Sequence, residues 1–561
     1  MARHQSLLAE PMLCEVRNMD TNKIACQQLE NQSVGLGNRQ NWRKFLSLFL
    51  LVILLDTGLR VTGLTFNCMY LDEAFQTLCD STGQPLPLLI KYKGEPVLFR
   101  FDKPHPLNEV LAEYTRNDPL CPPLYGILLN RWRLVFGDSD GSLRGFSVPF
   151  SVLANAGLMA FAAALFGPAV GLVAGLVQAT SPFDINLSQE ARMYTLELFF
   201  AIISMASFYA LLQSKTNRRK FAWSTVYALS SWAMIGSHYT SAFTALFQAV
   251  FGLMVCWWRR DKNTSLWLIG AGATCLLMWC PWIPFVIHSA SLRNNGFYVA
   301  RTPSWTWPFY GLFVLAPRNW IGFLTGGGLP TFLMPVFATA AIIMLAAAKQ
   351  VAPYLRSAFK PKDWVNSNQA FSRWFLILWM SLPLIFLWLA DVVESRKVIQ
   401  VYRYSNAVAP AVYIFTAMGV LALWHSKKRR LALSVLALHA ALLMAIEVYT
   451  HTVEQRQNWR MAASYIESHV PPEDIVLVSE YYDMACLDRY LDRPVRQIAV
   501  GTSMGQEYID KCLAAVPNLQ HFWVSASGTG VSVTAIIPPN YVMTDKKGFG
   551  HYLYLMRYER K

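Results

Sequence analysis

The sequence has little charge for its length. Only 15% of its 561 residues are Asp, Glu, Lys or Arg, whereas 54% are hydrophobic. A soluble globular chain carries about 25% charged residues, so this composition argues against a soluble protein. Charge is scarcest in blocks of about 18 to 24 apolar residues, each long enough to cross the roughly 30 Å hydrocarbon core as a helix. The composition predicts a polytopic membrane protein.

Several other signatures are missing. There is no internal repeat and no low-complexity tract, and neither Gly501-Thr-Ser-Met-Gly505 nor Gly528-Thr-Gly530 completes a phosphate-binding glycine motif. No small-residue cleavage site follows the first apolar run, Phe45 to Leu64, so we interpret it as an uncleaved anchor. The 10 cysteines form no metal-binding framework. Disulfides are allowed among those on the predicted outer side, but their pairing is open: Cys68, Cys79, Cys121, Cys486 and Cys512.

The net charge of +14 is concentrated in short loops between apolar runs. This is the positive-inside pattern, which places those loops in the cytoplasm and argues against nucleic-acid binding. With the Ser188–Arg192 segment and the long loop 65–119 both outside, an even number of helices must separate them. The run 122–136 could then be interfacial or re-entrant. This arrangement predicts 11 membrane crossings, or 13 if one run is divided differently, with the C-terminus outside.

Three regions are predicted. Residues 1–41 form a cytoplasmic N-terminal segment, 42–450 a transmembrane domain with the outer loop 65–119, and 451–561 a soluble α/β domain on the non-cytoplasmic face. In the tail, helical patterns at Asn458 to His469 and Gln506 to Ala515 accompany four strand-like runs: Ile475 to Val478, Val495 to Val500, His521 to Ser525 and Tyr552 to Met556. We favour docking or substrate gating over a second catalytic site for this domain.

A carboxylate pair, Asp72-Glu73, lies just past the first apolar run, where the chain meets the outer aqueous face. Acidic residues in that place are typical of a helix start, but a carboxylate there could also act as a general base toward an incoming hydroxyl or amine. Partial burial at the membrane surface is expected to raise the pKa of such a base.

Cations and tyrosines surround this pair in the predicted topology. Lys103 and His105 share its loop and are followed by Pro122-Pro-Leu-Tyr125. Ser181 to Tyr194 forms an outer turn leading into a helix, so Glu190, Arg192 and Tyr194 would lie at the same membrane boundary. Cations there could bind a departing phosphate, although loop charges are usually only solvated and Arg192 could be a structural ion-pair partner.

These motifs recur in a characteristic order: Asp72-Glu73, Pro122-Pro-Leu-Tyr125, Arg144, Ser181-Pro…Ser188-Gln-Glu-Ala-Arg-Met-Tyr194, His238-Tyr239 and Arg403-Tyr404…Pro410. Over residues 42 to about 450 the chain resembles the polytopic C-type (GT-C) glycosyltransferases of the protein-O-mannosyltransferase and aminoarabinose-transferase superfamily. It departs from the pattern at Cys121, where a histidine often precedes the Pro-Pro pair. The resemblance implies an all-α polytopic fold with a small extracytoplasmic C-terminal α/β domain.

The resemblance also implies a reaction, namely inverting transfer of a sugar from a polyprenyl phosphate or diphosphate to a lipid, protein or polysaccharide acceptor on the non-cytoplasmic face. Asp72 would be the base, with Glu73 supporting it. Arg192, Arg403 and Lys103 would neutralise the leaving phosphate. The remaining expected substrate-binding residues are His105, Tyr125, Glu190, Tyr194 and Tyr404.

No required cofactor is predicted. Glu190 and His238 could contribute to a divalent metal site, but two ligands are too few to assert one. The expected location is the plasma membrane. Two rival functions stay open, a ligase or polymerase of whole glycans and a transporter of lipid-linked saccharides. A transporter would not explain the outer carboxylates and would favour paired halves, which the sequence lacks.

Overall fold

The computed structural model describes residues 39–74, 81–82, 96–97, 104–117, 121–292, 307–326, 331–355, 365, 367–394, 396–453, 456–478, 481–499, 519–527, 537–550 and 552–561. Its helices are α1 (Arg39–Val61), α2 (Leu71–Glu73), α3 (Leu107–Asn117), α4 (Leu124–Phe136), α5 (Asp140–Gly145), α6 (Ser147–Phe166), α7 (Pro168–Ala179), α8 (Pro182–Ser188), α9 (Tyr194–Gln213), α10 (Asn217–Ser237), α11 (Ala242–Arg259), α12 (Lys262–Trp279), α13 (Ile283–Leu292), α14 (Trp307–Tyr310), α15 (Ala316–Thr325), α16 (Pro335–Leu355), α17 (Asn368–Glu394), α18 (Ala409–Trp424), α19 (Arg429–Thr452), α20 (Trp459–His469) and α21 (Tyr481–Asp488).

The described residues of the membrane body are predominantly helical, and the predicted anchor Phe45 to Leu64 forms most of α1, which confirms the all-α polytopic fold. Seven helical stretches of the described residues are long and apolar enough to span a membrane. The predicted run 122–136 becomes α4, whose 13 residues extend about 20 Å at 1.5 Å per residue. It is therefore shorter than the hydrocarbon core, in agreement with an interfacial or re-entrant position.

Local sequence sets the sharp turns at the two ends of α7. Gly167 has a φ of 97° and ends α6, and Pro168 at the first helical position begins α7. The Ser181 side chain then accepts a hydrogen bond from the Asp184 amide and caps α8, again with a proline at the helix start. These breaks bring the Glu190–Arg192 segment back beside the end of α1.

The described residues form one six-stranded mixed sheet in the order β1-β3-β2-β4-β6-β5, to which the tail contributes β2 to β6. The parallel strands β2 (Ile475–Val478), β3 (Val495–Ala499) and β4 (His521–Ala526) lie at its centre, with β6 (Tyr554–Arg560) and β5 (Tyr541–Gly548) antiparallel beyond β4. The small α/β domain is therefore confirmed, while β5 was not predicted from the sequence. The predicted helix Gln506 to Ala515 lies outside the described residues.

One edge strand of this sheet comes from a segment far from the tail in the sequence. Strand β1 is Pro96–Val97, in the predicted outer loop, and it pairs antiparallel with β3 through Pro96 with Arg496 and Val97 with Val495. The sequence did not predict this strand. The outer loop thus contributes directly to the tail sheet.

A second junction joins the tail to the membrane body at Asp140. Its carboxylate accepts hydrogen bonds from Arg460 at 3.0 Å, from Arg489 at 2.9 Å and from the Tyr490 hydroxyl at 2.7 Å. The Met69 amide donates to the same Tyr490 hydroxyl at 2.9 Å. These contacts hold the tail against the segment that leads into Asp72.

Candidate active site

The candidate site lies where four parts of the chain meet: the segment after α1, the turn between α8 and α9, the 3₁₀ segment Tyr402–Val408 and the connection from α19 to α20. Cys68 and Ala74, which flank the carboxylate pair, are fully buried in the same hydrophobic cluster as tail residues such as Trp459 and Leu487. The pair is therefore enclosed by the membrane body on one side and the tail on the other.

Glu73 is fully buried and saturated with donors. Arg144 binds both of its carboxylate oxygens, with Nε to Oε1 at 2.8 Å and Nη2 to Oε2 at 2.7 Å. Arg456 adds a bond to Oε2 at 2.9 Å and the Ala191 amide one to Oε1 at 2.9 Å. Burial acts to raise the pKa of Glu73, but Arg144 and Arg456 outweigh it and hold the pKa below its ordinary value. Such a carboxylate organises its surroundings and has little capacity to accept another proton.

Asp72 differs in exposure and partners. Its side chain is 17% exposed, and its Oδ2 accepts one strong bond, from Arg403 Nη2 at 2.6 Å. Its backbone carbonyl accepts from Arg192 Nη1 at 2.9 Å. Burial acts to raise the pKa of Asp72, but Arg192 and Arg403 outweigh it and keep the pKa below its ordinary value. The sequence-based expectation of a raised pKa is wrong, because it considered burial without the two arginines.

Glu190 is drawn into the same network by a tyrosine and an arginine. Tyr70 donates its hydroxyl to Glu190 Oε2 at 3.1 Å, and Arg456 Nη2 donates to Oε1 at 2.5 Å. The Tyr70 hydroxyl also accepts from Arg403 Nη1 at 3.2 Å, while the Arg456 guanidinium lies 4.1 Å from the Tyr70 ring centroid. Burial, together with Glu190 and Asp72, raises the pKa of Tyr70, so this hydroxyl stays protonated.

Arg192 and Tyr194 form the inner wall of the site. Tyr194 is fully buried, and the guanidinium carbons of Arg192 and Arg403 each lie 5.7 Å from its ring centroid. Neither Arg192 Nε nor the Tyr194 hydroxyl has a hydrogen-bond partner among the described residues. Buried donors of this kind are normally satisfied, so these two suit a polar ligand.

His238 and Tyr404 pack behind this wall. The His238 ring lies 5.6 Å from that of Tyr194 and 5.1 Å from that of Tyr404, and its Nδ1 is 2.6 Å from the Thr240 hydroxyl. The structure thus gives the two side chains different partners: Glu190 binds Arg456 and Tyr70, whereas His238 packs against Tyr194 and Tyr404. In the described part of the chain, no group of three or more His, Cys, Asp or Glu side chains is suited to hold a metal ion.

The other predicted residues lie elsewhere. Tyr125 is fully buried and bonds Ser147 at 3.0 Å, and Ser147 in turn donates to the Arg192 carbonyl at 3.4 Å. Tyr125 is thus linked to the site through Ser147 and the backbone of Arg192. His105 pairs locally with Glu109 at 2.6 Å, with both side chains substantially exposed. Lys103 lies outside the described residues.

The network carries an excess of positive charge. Among the described residues, three carboxylates face four guanidinium groups, an excess of one positive charge: Asp72, Glu73 and Glu190 against Arg144, Arg192, Arg403 and Arg456. Arginine is well suited to phosphate because its planar donors match phosphate oxygens. The arrangement can accept a proton at Asp72 and an anion beside it.

Three members of the network were not predicted as site residues, namely Tyr70, Arg144 and Arg456. Arg144 was part of the ordered motifs but had no role assigned to it. Tyr70 belongs to the motif that contains Asp72, two positions earlier, so its place in that motif was the available signal. Arg456 lies beyond the last apolar run in a polar stretch, and only its position at the outer mouth could have pointed to it.

Comparisons with known proteins agree with this architecture. Residues 121–285 match the family model described as dolichyl-phosphate-mannose-protein mannosyltransferase. ArnT from Cupriavidus metallidurans in the apo state is similar in structure, with a TM-score of 0.55 and 12% identity over 92% of this chain and 98% of that chain. The same ArnT bound to undecaprenyl phosphate matches with a TM-score of 0.50 and 14% identity, over 93% and 98%.

An oligosaccharyltransferase from Archaeoglobus fulgidus matches with a TM-score of 0.49 and 13% identity, over 86% of this chain and 69% of that chain. No curated protein matches the sequence. The resemblance predicted from the ordered motifs is confirmed: the chain has the polytopic GT-C glycosyltransferase fold, and part of it matches a family model of that superfamily.

Proposed function

We propose that this protein is a membrane glycosyltransferase that moves a sugar from a polyprenyl-phosphate-linked donor to an acceptor on the non-cytoplasmic face. The observation that carries the proposal is the pairing of Asp72 with Arg403 at 2.6 Å in a network with excess positive charge. A proton acceptor and a phosphate-binding cation thus lie side by side. The crystal structure of ArnT with undecaprenyl phosphate, a protein of the same fold, supports the class of donor.

Asp72 is the general base in this proposal. Its carboxylate accepts the proton from the acceptor hydroxyl or amine while the acceptor atom attacks the anomeric carbon. The bond from that carbon to the phosphate oxygen breaks, and its electron pair leaves with the phosphate. Attack from the face opposite the phosphate inverts the anomeric configuration. Asp72 then returns its proton to water.

Arg403 and Arg192 stabilise the departing phosphate. Two arginines at the rim pair with carboxylates, Arg403 and Arg456. Arg403 is the more exposed of the two, at 26% against 14%, and its ion pair among the described residues is with Asp72. Arg192 contributes the buried Nε that has no partner among the described residues, next to the similarly unpartnered Tyr194 hydroxyl. Charge develops on the phosphate in the transition state, so preorganised donors there lower the barrier.

Glu73 has a supporting role in this scheme. Its bidentate contact with Arg144 fixes the backbone that leads into Asp72, because Arg144 also binds the carbonyls of Leu64, Asn67 and Cys68 at 2.8 to 3.1 Å. In this proposal the tail domain and the C-terminus lie on the same non-cytoplasmic face, which the positive charge of the loops between the helices supports.

The test is sugar transfer by the purified full-length protein in lipid nanodiscs, from synthetic polyprenyl-phosphate sugars into extracted membrane acceptors. Asp72→Asn is expected to lower the transfer rate by about 10²- to 10⁴-fold while binding of polyprenyl phosphate persists. Asp545→Asn, in the exposed strand β5, is the matched control and should transfer normally. Full activity of Asp72→Asn would disprove the assigned base. Transfer only from oligosaccharide diphosphates would favour a ligase, and donor translocation without transfer a transporter.

A further inference from the structure

We infer that Arg456, supplied by the connection to the tail domain, is a positioning residue for the carboxylates of the active site. Its two terminal nitrogens bridge carboxylates from separate parts of the chain, with Nη1 to Glu73 at 2.9 Å and Nη2 to Glu190 at 2.5 Å. The same guanidinium lies 4.1 Å from the Tyr70 ring centroid. This inference deepens the proposed function and rests on it for its kinetic consequences.

The backbone next to Arg456 is anchored in the tail. Two residues later, the Asn458 amide donates to the Phe549 carbonyl at 2.9 Å, at the turn between β5 and β6. The Asn458 side chain caps α20 by accepting from the Met461 amide, and the next residue, Trp459, is buried in the tail core. The folded tail therefore delivers this side chain to the site.

Arg456 also controls the partners of Arg403. The buried Glu190 carboxylate has Arg456 as its one ion-pair partner among the described residues. Tyr70 links Glu190 to Arg403, because its hydroxyl donates to the former and accepts from the latter. If Arg456 were neutral, the uncompensated Glu190 would attract Arg403 away from Asp72. Arg456 thus keeps Arg403 beside Asp72, where the donor phosphate is proposed to bind.

Loss of Arg456 would affect the three carboxylates differently, because each keeps different partners. Glu73 retains Arg144 as a bidentate partner when Arg456 is lost, so the loop can stay folded. Asp72 retains Arg192 on its backbone carbonyl, while the donors to Glu190 that remain among the described residues, Tyr70 and Asn186, are neutral and leave it free to attract Arg403. The consequence is therefore expected in the geometry of the site and not in global unfolding.

The chain offers a matched control in Arg460. This arginine joins the tail to the body through Asp140 and the carbonyls of Thr65 and Phe66, without contact to Asp72, Glu73 or Glu190. Arg456→Gln and Arg460→Gln each remove one junction arginine, so a role in tail docking alone would affect both. Arg456→Lys retains the charge but cannot bridge both carboxylates with two planar donors.

The experiment measures hydrogen–deuterium exchange of residues 67–74 and 186–192, and then kcat, KM and pH profile, on full-length variants in nanodiscs. Arg456→Gln is expected to increase exchange in both segments, to lower kcat at least tenfold, and to move the acid limb of kcat/KM to higher pH because Asp72 and Glu73 lose a cation. Arg456→Lys should return the acid limb of kcat/KM to its wild-type pH but should recover only part of the lost kcat. Arg460→Gln should retain wild-type kcat and pH profile.

Equal kcat, pH profile and exchange in Arg456→Gln and Arg460→Gln would overturn the inference. Hydrogen–deuterium exchange distinguishes failure of the positioning role of Arg456 from failure of the proposed function. If the wild type transfers no sugar yet Arg456→Gln alone loosens both segments, the positioning role stands and the assigned reaction falls. If the wild type transfers sugar and Arg456→Gln matches it in every measurement, the reaction stands and the positioning role falls.

Discussion

Arg403 donates to Asp72 across 2.6 Å and to the Tyr70 hydroxyl across 3.2 Å, so one guanidinium joins the proposed base to the residue that holds Glu190. The cation proposed to receive the phosphate therefore neutralises the base when no phosphate is present. A phosphate that draws Arg403 toward itself would weaken this pairing and raise the proton affinity of Asp72. Donor binding and activation of the base are thus coupled through one side chain.

Replacement of Arg403 by Gln should change both the rate and its pH dependence. Loss of a donor to the leaving group is expected to lower kcat by about 10²- to 10³-fold. Because Arg403 lowers the pKa of Asp72, its removal should move the acid limb of kcat/KM to higher pH. Arg403→Lys, which keeps the charge, should leave that limb near its wild-type position. A rate profile that only scales down, with no shift, would contradict the coupling.

Replacement of Glu73 by Gln should reduce stability more than replacement of Asp72 by Asn. Glu73 is buried between Arg144 and Arg456, and removal of one partner from a buried ion pair costs about 3–5 kcal/mol. Asp72 is partly exposed at the rim, so Asp72→Asn should unfold within a few degrees of the wild type. Thermal unfolding in detergent compares the two variants. Equal losses would show that the two carboxylates do not differ in role.

Stability should fall on the acid side. Asp72 and Glu73 both have pKa values below their ordinary values of 3.8 and 4.5. Carboxylates shifted in this direction stabilise the fold fully above the unfolded pKa, and that stability is lost as pH falls through the folded pKa. The unfolding temperature should be steady from about pH 7 to about pH 5 and decline below about pH 4.5. A shallower decline of the unfolding temperature in Glu73→Gln would show that Glu73 accounts for part of the loss of stability in acid.

Cysteine labelling should place the tail and the basic loops on opposite faces. An impermeant maleimide should modify Lys547→Cys, in the exposed strand β5, in intact cells. Lys427→Cys, in an exposed loop between α18 and α19, should react only after the membrane is opened. Mass spectrometry of the two peptides measures the extent of labelling at each site separately. Reaction of both in intact cells, or of neither, would contradict the predicted topology.

The membrane helices could be predicted from the sequence because long apolar runs have few alternatives in a bilayer. The central tail strands were predicted for a similar reason, since Ile475–Val478 is continuously apolar and buried. Strand β5 was missed because its residues are exposed and polar, including Asp545, Lys546 and Lys547. Strand β1 has only two residues and depends on a partner strand about four hundred residues later, which no local pattern reveals.

The site was predicted in outline through membrane topology. Parity placed Asp72, Glu190, Arg192 and Arg403 on one face, and the structure joins them in one network. The pKa of Asp72 could not be predicted, because its direction depends on distances to two arginines that are remote in sequence. Arg456 was missed for the same reason, since its two carboxylate partners lie more than 260 residues earlier.

The pairing of Pro96–Val97 with β3 has a consequence for biosynthesis. Asp72 and its loop are translated long before β3 and Arg456. Until the last helix is inserted and the tail has folded, the loop lacks the strand with which it pairs and the arginine that bridges Glu73 and Glu190. A nascent or truncated chain would therefore be inert, and activity would appear only once the whole chain had been inserted and folded.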